Sequence, residues 1–366
     1  MPSPFSREAE LPLPSSGDGW SQLLDWDTLL ASWRAAARHK SGREPAAAYE
    51  YRLGERLLAL QRHLASGAWR PGACHHFVVH QPKRRLISAA PFEDRVVHHA
   101  LMRVTGPRFE RSFCRFSFAN RAGLGTHAAV RHVANLCGRY DWVLRLDVQK
   151  HFASIDHEIL MQALCRRVPE PALQALMGHI VAAGDGIHDD GTPVRLFAGD
   201  DLLALCRPRG LPIGNLTSQC WSNVYLDALD QFVMRTLGAR AYARYVDDFV
   251  LFHDDPDVLA DWNPRIQDFL ARRLRLRVHP GPAQVQRAAG GVPWLGFVVY
   301  PDHVRVKSRK VVQATRRLRR SHAAWREGLE SFERFDARVQ GWIGHVAQAR
   351  SWRLREHVLA QLPLRG

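Results

Sequence analysis

The stretch ARYVDDFVLF at residues 243–252 places two adjacent aspartates, Asp247 and Asp248, between apolar runs. Aromatic and β-branched residues on both sides favour two strands, with the acids in or beside the turn of a hairpin. A solvated Asp-Asp turn is the simpler interpretation, but the apolar flanks indicate burial on both sides of the acids. Two buried like charges repel each other, so the hairpin favours a bound cation, and a hard divalent ion suits carboxylate oxygens best.

A second strand ends in an acid earlier in the chain. Residues 142–146 read WVLRL, Asp147 follows them, and the next residues predict a turn and a helix to about Arg167. An aspartate at the end of one strand, next to the Asp247–Asp248 pair of another, can complete a cage of oxygen ligands for two Mg²⁺ ions. Such ions stabilise the attacking and leaving oxygens of phosphoryl transfer. Asp156 is better interpreted as the N-cap of the helix than as a ligand.

The composition describes a basic globular chain. Its 366 residues include 51 Lys and Arg against 36 Asp and Glu, a formal net charge of +15. Most of the excess is arginine, which favours a phosphate-bearing polyanion, although a genome rich in G and C also raises the arginine content. The six cysteines form no CxxC pair, no apolar run reaches membrane-spanning length, and the N-terminus lacks a signal-peptide core. The sequence therefore predicts a reduced, cytoplasmic protein without a membrane partner.

Two segments before and after Asp147 suit contacts with phosphate or bases. Residues 77–88 predict a strand, a basic turn and a second strand, with Lys83 and Arg85 at the tip. Cations at a hairpin tip can meet phosphate, although a solvated basic turn fits equally well. Residues 210–219 read GLPIGNLTSQ, a glycine-punctuated turn that enters a helix and can hold a base or phosphate close to the backbone.

Two further segments extend the basic surface. Residues 117–126 form a loop rich in Gly and Arg that includes Arg121, and its glycines allow the backbone to approach a ligand. Residues 305–320 carry eight Lys or Arg and no acid, and Arg309, Arg316 and Arg320 share one helical face. A solvated face is the usual explanation for such a run, but single-sign blocks of this density tend to bind polyanions.

Taken in order, these motifs resemble those of bacterial reverse transcriptases, and the resemblance extends from about Tyr49 to Leu359. Four segments carry it: the first catalytic motif with Asp147 and Phe152, the template- and nucleotide-contacting motif at 211–219, the palm hairpin YVDD at 245–248, and the primer-gripping hairpin WLG at 294–296. Each motif alone is moderately specific, and the family's order makes the set stronger. The resemblance implies an RNA-directed DNA polymerase that takes an RNA template, a DNA or RNA primer and dNTPs.

Details of two motifs resemble the reverse transcriptases of diversity-generating retroelements. Most reverse transcriptases have Gln in place of Ile213 and Pro in place of Gln219, whereas the IGxxxSQ form at 213–219 is typical of that group. Residues 88–99, SAAPFEDRVVHH, resemble the same group. The resemblance implies an error-prone enzyme that copies a template-repeat RNA into cDNA with errors opposite adenine. It also implies a structured RNA and a small basic accessory protein that forms a pentameric barrel.

The resemblance implies an α+β fold of the right-hand polymerase type, with a palm built on an antiparallel sheet and a helical thumb. The predicted division is a flexible N-terminal tail at 1–27, fingers at 28–140, a palm at 141–304 with a loop insertion at about 182–209, and a thumb at 305–366.

The resemblance also assigns roles to the motif residues. Asp147, Asp247 and Asp248, with the carbonyl of Val148, are expected to bind two Mg²⁺ ions. One ion would lower the pKa of the primer 3′-hydroxyl and the other would hold the triphosphate. Nucleotide contacts are expected at Lys83, Arg85, Phe152, Ile213, Gly214 and Gln219, with Phe152 excluding a 2′-hydroxyl. Nucleic-acid contacts are expected at Arg121, Trp294, Gly296, Lys307, Arg309, Arg316 and Arg320.

Two other functions fit parts of the sequence. One is a phage-defence reverse transcriptase, which makes DNA in response to phage. The other is a catalytically idle RNA-binding protein, against which the intact set of three acids argues. Ile213 is expected to affect the accuracy of copying. Replacing a hydrogen-bonding Gln by an apolar residue near the incoming nucleotide should loosen base selection.

Overall fold

The computed structural model describes residues 18–38, 40, 44–80, 84–187, 196–281 and 283–363. The part before residue 138 is mainly helical, with one β-hairpin. Its elements are α1 Gly19–Leu24, α2 Trp26–Ala37, α3 Glu44–Glu50, α4 Leu53–Ala65, β1 His75–Val79, β2 Arg85–Ala89, α5 Phe92–Ser112 and α6 Thr126–Cys137. The long helix α5 is the centre of this region, and α1, α2 and α3 pack against it.

One prediction for this region is wrong. The flexible tail was expected to reach residue 27, but residues 19–24 and 26–27 are helical, because Asp18 and Asp25 accept hydrogen bonds from the backbone amides of the first turns of α1 and α2. Leu23 is fully buried and fixes α1 to the core. Between α3 and α4 the chain forms a turn at Tyr51 and Arg52, which are both exposed.

A four-stranded antiparallel sheet forms the middle of the molecule, with the strand order β4-β5-β3-β6. The strands are β3 Trp142–Asp147, β4 Tyr242–Tyr245, β5 Asp248–His253 and β6 Val285–Arg287, and the helices are α7 His151–Ser154, α8 His157–Cys165, α9 Pro171–Ala182, α10 Leu216–Gln231 and α11 Pro256–Leu274. Asp156 caps α8 as predicted, accepting from the amides of residues 158 and 159. The described part of the expected insertion at 182–209 contains a 3₁₀ helix, Leu202–Cys206.

Both faces of this sheet are buried, and alternate residues divide between two cores. On one face, Leu144, Leu146, Phe249 and Leu251 pack with α5, α8, α10 and α11. On the other face, residues of odd number in β3 and even number in β5 pack with α6 and a second sheet. Because side chains alternate along a strand, the acids at the ends of β3 and β5 lie on this second face.

The second sheet and the last helices complete the chain. The sheet is three-stranded and antiparallel, with β7 Val292–Trp294, β8 Phe297–Val299 and β9 Val304–Val306, and α12 Ser308–Arg326, α13 Phe332–Val346 and α14 Trp352–Leu359 follow. The side chains of α12 to α14 form a core of their own around Phe335, Trp342 and Val358. The mixture of helices with antiparallel sheets confirms the predicted α+β class, while the predicted domain bounds stay a prediction. Within the described ranges, each helix is too short or too polar to cross a bilayer.

Candidate active site

The three predicted catalytic acids lie at the ends of two neighbouring strands. Strands β3 and β5 are antiparallel, and Asp147 is directly opposite Asp248. The backbone amide of Val148 donates a hydrogen bond to the carbonyl of Asp247 at 3.0 Å, which ties the end of β3 to the hairpin turn. Acids far apart in the sequence therefore meet at one end of the two central strands. Their role as metal ligands stays a prediction.

A strained two-residue turn presents Asp247. Strand β4 ends at Tyr245 and β5 begins at Asp248, so Val246 and Asp247 form the turn. Val246 has φ 57, in the left-handed region that β-branched residues avoid. The hydroxyl of Thr126 lies 3.1 Å from that of Tyr245, which fixes the strand before the turn. The surrounding structure holds this turn in a conformation that the local sequence disfavours.

Burial and the charge of Asp147 disfavour the ionised forms of Asp247 and Asp248. Burial, and then the charge of Asp147, raise the pKa of Asp247 to about 6. Burial also raises the pKa of Asp248, against the opposing effect of Arg145. Arg145 donates to both carboxylate oxygens of Asp248, at 3.0 and 2.9 Å. A cluster of half-buried carboxylates at the ends of two paired strands is the donor set that a hard divalent cation prefers.

Within the described part of the chain, no three His, Cys, Asp or Glu side chains are arranged as a ready metal site. At the acids, both carboxylate oxygens of Asp248 accept hydrogen bonds from the guanidinium of Arg145. The carboxylates of Asp147 and Asp247 supply oxygen donors of the kind that a divalent ion takes, and the part of Asp248 stays a prediction. Arg145 was not anticipated from the sequence, although its position two residues before Asp147 places it on the same face of β3.

Cations from distant segments face the acids. Arg85, the first residue of β2, is close enough for its charge to lower the pKa of Asp247. Lys307 has the same effect on Asp248, and burial, then Arg145, lower the pKa of Lys307 itself. Lys83, the other predicted cation of the β1–β2 hairpin, lies outside the described residues. The arrangement supplies positive charge around the acids, where a triphosphate would need it.

Three segments that carry predicted nucleotide contacts are joined by hydrogen bonds and are called the wall below: strand β2, the segment at 211–219 and helix α7. The amide of Ser88 in β2 donates to the carbonyl of Ile213 at 3.0 Å, and the amide of Leu211 donates to the carbonyl of Phe152 at 2.8 Å. Phe152 and Ile213 are half-buried. These bonds join the hairpin β1–β2, the turn before α10 and the short helix α7 beside the acids.

Gly214 and Gln219 continue this wall toward α10. Gly214 has φ 121, and a Cβ there would lie 3.1 Å from the side chain of Ile87, so the position requires glycine. Gln219 is half-buried in the first turns of α10, where its amide bonds to the carbonyl of Asn215. Both residues are placed where the nucleotide contacts were predicted, and the contacts themselves stay a prediction.

Two residues predicted to contact nucleic acid are structural. Arg121 is 8% exposed, and its guanidinium donates to Glu110 and to the carbonyls of Cys114 and Ser117, so it closes its own loop. Trp294 is fully buried in the core between the two sheets. Direct contact with nucleic acid by either side chain is therefore wrong. The loop composition and the motif resemblance carried no information about burial.

The remaining basic residues lie at the surface. Arg309, Arg316 and Arg320 are exposed along α12. Gly296 forms the β7–β8 turn with Leu295, at φ 93 and 45, and its carbonyl accepts from the amide of Lys307 at 3.0 Å. That bond connects the turn to the residue that faces Asp248.

We expect α12 to contribute phosphate contacts that depend on salt. Replacing Arg316 and Arg320 by Gln should weaken binding of an RNA–DNA primer-template roughly 10-fold or more at 0.1 M salt. The slope of log affinity against log salt should fall by about 1.4 to 1.8, since each lost phosphate contact removes about 0.7 to 0.9. Fluorescence anisotropy over a KCl series measures both.

The matched control for this pair lies on α11. Arg265 and Arg272 are exposed and each pairs with an aspartate one turn away. Replacing them by Gln removes the same formal charge from a different surface. Equal losses in the two double variants would show that α12 makes no particular contact and that only net charge matters.

Residues 79–299 match the sequence model of the family described as "Reverse transcriptase (RNA-dependent DNA polymerase)", well over half of the chain. Protein YkfC of Escherichia coli (strain K12) is 25% identical over 300 residues, which cover 71% of this chain and 75% of YkfC. Nuclear intron maturase 1, mitochondrial, of Arabidopsis thaliana is 29% identical over 96 residues, which cover 26% of this chain and 14% of that protein. Among solved structures, apo telomerase from Candida Tropicalis truncated from C-terminal domain has a TM-score of 0.46 at 10% identity, covering 68% of this chain and 59% of that chain.

Proposed function

Because the chain belongs to the reverse transcriptase family, whose members are RNA-dependent DNA polymerases, we propose that it is the error-prone enzyme of a diversity-generating retroelement. In this role it copies a template-repeat RNA into cDNA from a DNA or RNA primer. The pairing of β3 with β5 supports the polymerase chemistry most directly, since it sets Asp147 opposite Asp248 and beside Asp247. The mutagenic role is supported by the apolar residue Ile213 in the wall beside those acids.

The family uses divalent metal ions, and we propose Mg²⁺ at this site. Asp147 and Asp247, with Asp248 and the carbonyl of Val148, would hold two ions, which supply activation of the primer 3′-hydroxyl and neutralise the triphosphate. The chain's own residues do the remaining work. Arg85 and Lys307 place positive charge next to the acids, where the triphosphate of the incoming nucleotide is held. Arg145 keeps Asp248 in a fixed orientation through its two hydrogen bonds.

Ile213 is proposed to lower the accuracy of base selection. Its backbone is fixed by the bond from Ser88 to its carbonyl, and its half-buried side chain is apolar. An apolar residue contributes no hydrogen bond that a correct base pair would keep and a mismatch would lose. The free-energy difference between correct and incorrect incorporation is therefore smaller by the contribution of that bond, which is about 0.5–1.5 kcal/mol.

We expect Ile213→Gln to reduce misincorporation opposite template adenine by roughly 2- to 10-fold, with little change in the rate of correct incorporation. Sequencing of cDNA made by the purified protein on an RNA template rich in adenine measures this ratio. Ile213→Val is the matched control, because it keeps the apolar character and should keep the error rate. An Ile213→Gln enzyme with the error rate of the unmodified protein would reject the role of Ile213.

A second candidate comes from the name of one relative, an intron maturase. In that case the chain would copy intron RNA, and its cDNA would carry few adenine-directed errors. The sequencing assay separates the two, since frequent errors opposite adenine favour the retroelement enzyme. A phage-defence enzyme is distinguished by neighbouring genes, because an accessory-protein gene and a pair of near-repeats mark a diversity-generating retroelement. The structured RNA and the small basic accessory protein are proposed partners on the same grounds.

A further inference from the structure

A fully buried ion pair lies beneath the hairpin that carries Asp247. The side chains of Arg244 and Asp230 are both 0% exposed. Nε and Nη2 of Arg244 donate to the two carboxylate oxygens of Asp230 at 2.7 and 2.6 Å. Arg244 shares its face of β4 with Tyr242, which is the face opposite the catalytic acids. Burying two charges stabilises a fold little by itself, since apolar residues of similar size often serve as well.

The remaining bonds of this arginine lead to the catalytic turn. Nη1 of Arg244 donates to the carbonyl of Val246 at 3.0 Å and to Oδ1 of Asn223 at 3.0 Å. Val246 is the residue with φ 57, and its carbonyl belongs to the peptide that joins it to Asp247. The buried pair therefore holds the strained peptide next to the acid that is expected to bind metal.

The guanidinium is itself held from several elements. Asn223 of α10 donates to the carbonyl of Ala119 at 2.7 Å, and the hydroxyl of Tyr242 donates to Asp230 at 2.7 Å. The backbone of Arg244 bonds to residues 116 and 118 at 2.9 Å on either side. Helix α10, strand β4 and the segment at 116–119 thus fix the position from which Arg244 reaches Val246.

We propose that Arg244 is a positioning residue that holds the left-handed turn at Val246 and thereby orients Asp247 toward the catalytic metal ion. This inference rests on the proposed polymerase function, because the orientation of Asp247 matters only if it binds metal. Arg244 touches no substrate and acts through the Val246 carbonyl. A purely structural role for the pair would affect folding but would leave the metal dependence of the folded protein unchanged.

The test uses Arg244→Met and Arg244→Lys in the full chain. Arg244→Met should raise the Mg²⁺ concentration for half-maximal primer extension at least about 10-fold and lower kcat. The KM for dNTP and the affinity for primer-template should stay within about 3-fold, since the wall and α12 are untouched. Arg244→Lys keeps the charge but cannot hydrogen-bond to Asp230 and Val246 together. Its Mg²⁺ requirement should therefore lie between those of the unmodified protein and Arg244→Met. Mn²⁺ binding by electron paramagnetic resonance gives a readout independent of activity and should weaken in parallel.

A second substitution distinguishes positioning from simple stability. Glycine adopts a left-handed conformation without strain, so Val246→Gly in the Arg244→Met background should recover part of the lost metal affinity. The control is Arg167→Met, which breaks the ion pair between Arg167 and Asp227. Asp227 lies on α10, the helix that also carries Asp230. Arg167 donates to Ser112 and Ala163 and not to the turn, so its loss should leave the Mg²⁺ dependence unchanged.

Three results would overturn the inference: unchanged Mg²⁺ dependence and Mn²⁺ binding in folded Arg244→Met, an equal change in Arg167→Met, or no recovery with Val246→Gly. If Arg244→Met does not fold, the same comparisons are made with Arg244→Lys. Failure of the unmodified protein to extend any primer contradicts the proposed function instead. In that case Mn²⁺ binding still decides whether Arg244 affects metal affinity.

Discussion

Asp247→Asn is expected to abolish primer extension, by about 10³-fold or more, and to make the metal-free protein more resistant to heat at pH 8. The loss of activity follows from removing a metal-binding carboxylate. The gain in stability follows from the burial of that carboxylate beside Asp147 when no metal ion is bound. One substitution should therefore move activity and stability in opposite directions, as is common where a site is built for function.

The sign of the pH effect follows from the direction of the pKa shift. The pKa of Asp247 is about 6 in the folded protein, above its ordinary value, because burial and Asp147 disfavour the charged form. Its contribution to stability is therefore fully present below about pH 4 and is lost as the pH rises through about 6. Asparagine does not ionise, so its advantage should be absent at pH 4 and reach about 3 kcal/mol at pH 8.

Thermal unfolding in EDTA at both pH values measures this difference, and adding Mg²⁺ tests its origin. Mg²⁺ should raise the Tm of the unmodified protein at pH 8 and should have little effect on Asp247→Asn, because ligands stabilise only the state that binds them. An Asp247→Asn protein with no pH-dependent gain, or with full polymerase activity, would contradict the assignment of Asp247.

Asp94 supplies a matched control for the titration. Its pKa is also raised to about 6 by burial, and its carboxylate accepts a hydrogen bond from the amide of Gly72 at 2.8 Å. Asp94→Asn should therefore gain stability between pH 4 and pH 8 in the same direction. Because Asp94 lies in α5 and accepts its hydrogen bond from Gly72, primer extension should persist. A parallel loss of activity in both variants would indicate general damage to the fold.

The sequence predicts the parts of this site that depend on local pattern. The hairpin around Asp247 follows from the aromatic and β-branched residues on both sides of it, and the strand ending at Asp147 follows from a similar apolar run. The cap at Asp156 follows from its place before a helix. These signals act over a few residues, so neighbouring residues alone determine them.

The sequence does not predict the parts that depend on tertiary pairing. Arg145 and Arg244 are arginines in strands, and only the register of β3 with β5 and the packing of α10 on the sheet reveal their partners. The predicted nucleic-acid contacts of Arg121 and Trp294 are wrong for the same reason. Distant neighbours decide whether a loop arginine or a motif tryptophan is exposed or buried. Burial of a polar side chain is a property of the assembled fold.

Phe152 is expected to exclude ribonucleotides, and Phe152→Val should lower the preference for dNTP over rNTP by roughly 10- to 100-fold. The side chain belongs to the short helix α7, which begins after Lys150 at φ 48. Its neighbour His151 is buried, and Nε2 of His151 lies 2.7 Å from the hydroxyl of Ser222. The carbonyl of Phe152 accepts a hydrogen bond from the backbone amide of Leu211. These bonds fix the backbone on both sides of the ring, so a 2′-hydroxyl is expected to meet it, and forcing atoms into packed space costs about 1–3 kcal/mol, which is roughly 10- to 100-fold in rate.

His151 keeps this anchor neutral. Burial, and then the charge of Arg244, lower the pKa of His151 to about 3, so its bond to Ser222 persists across the working pH range. The nucleotide preference of Phe152 should therefore be constant from pH 6 to pH 8, in contrast to the stability effect at Asp247. Single-nucleotide incorporation with dNTP and rNTP at several pH values measures the preference as a ratio of kcat/KM.

Phe269→Val is the control for loss of aromatic volume. Phe269 is half-buried on α11, where its ring stacks on Phe232 at 4.3 Å between ring centres, away from the acids. It should leave the nucleotide preference unchanged, even if the protein becomes less stable. A Phe152→Val enzyme that still rejects ribonucleotides as the unmodified protein does would place the exclusion elsewhere in the wall. The turn at 211–214 would be the next segment to test, because its backbone bonds directly to Phe152.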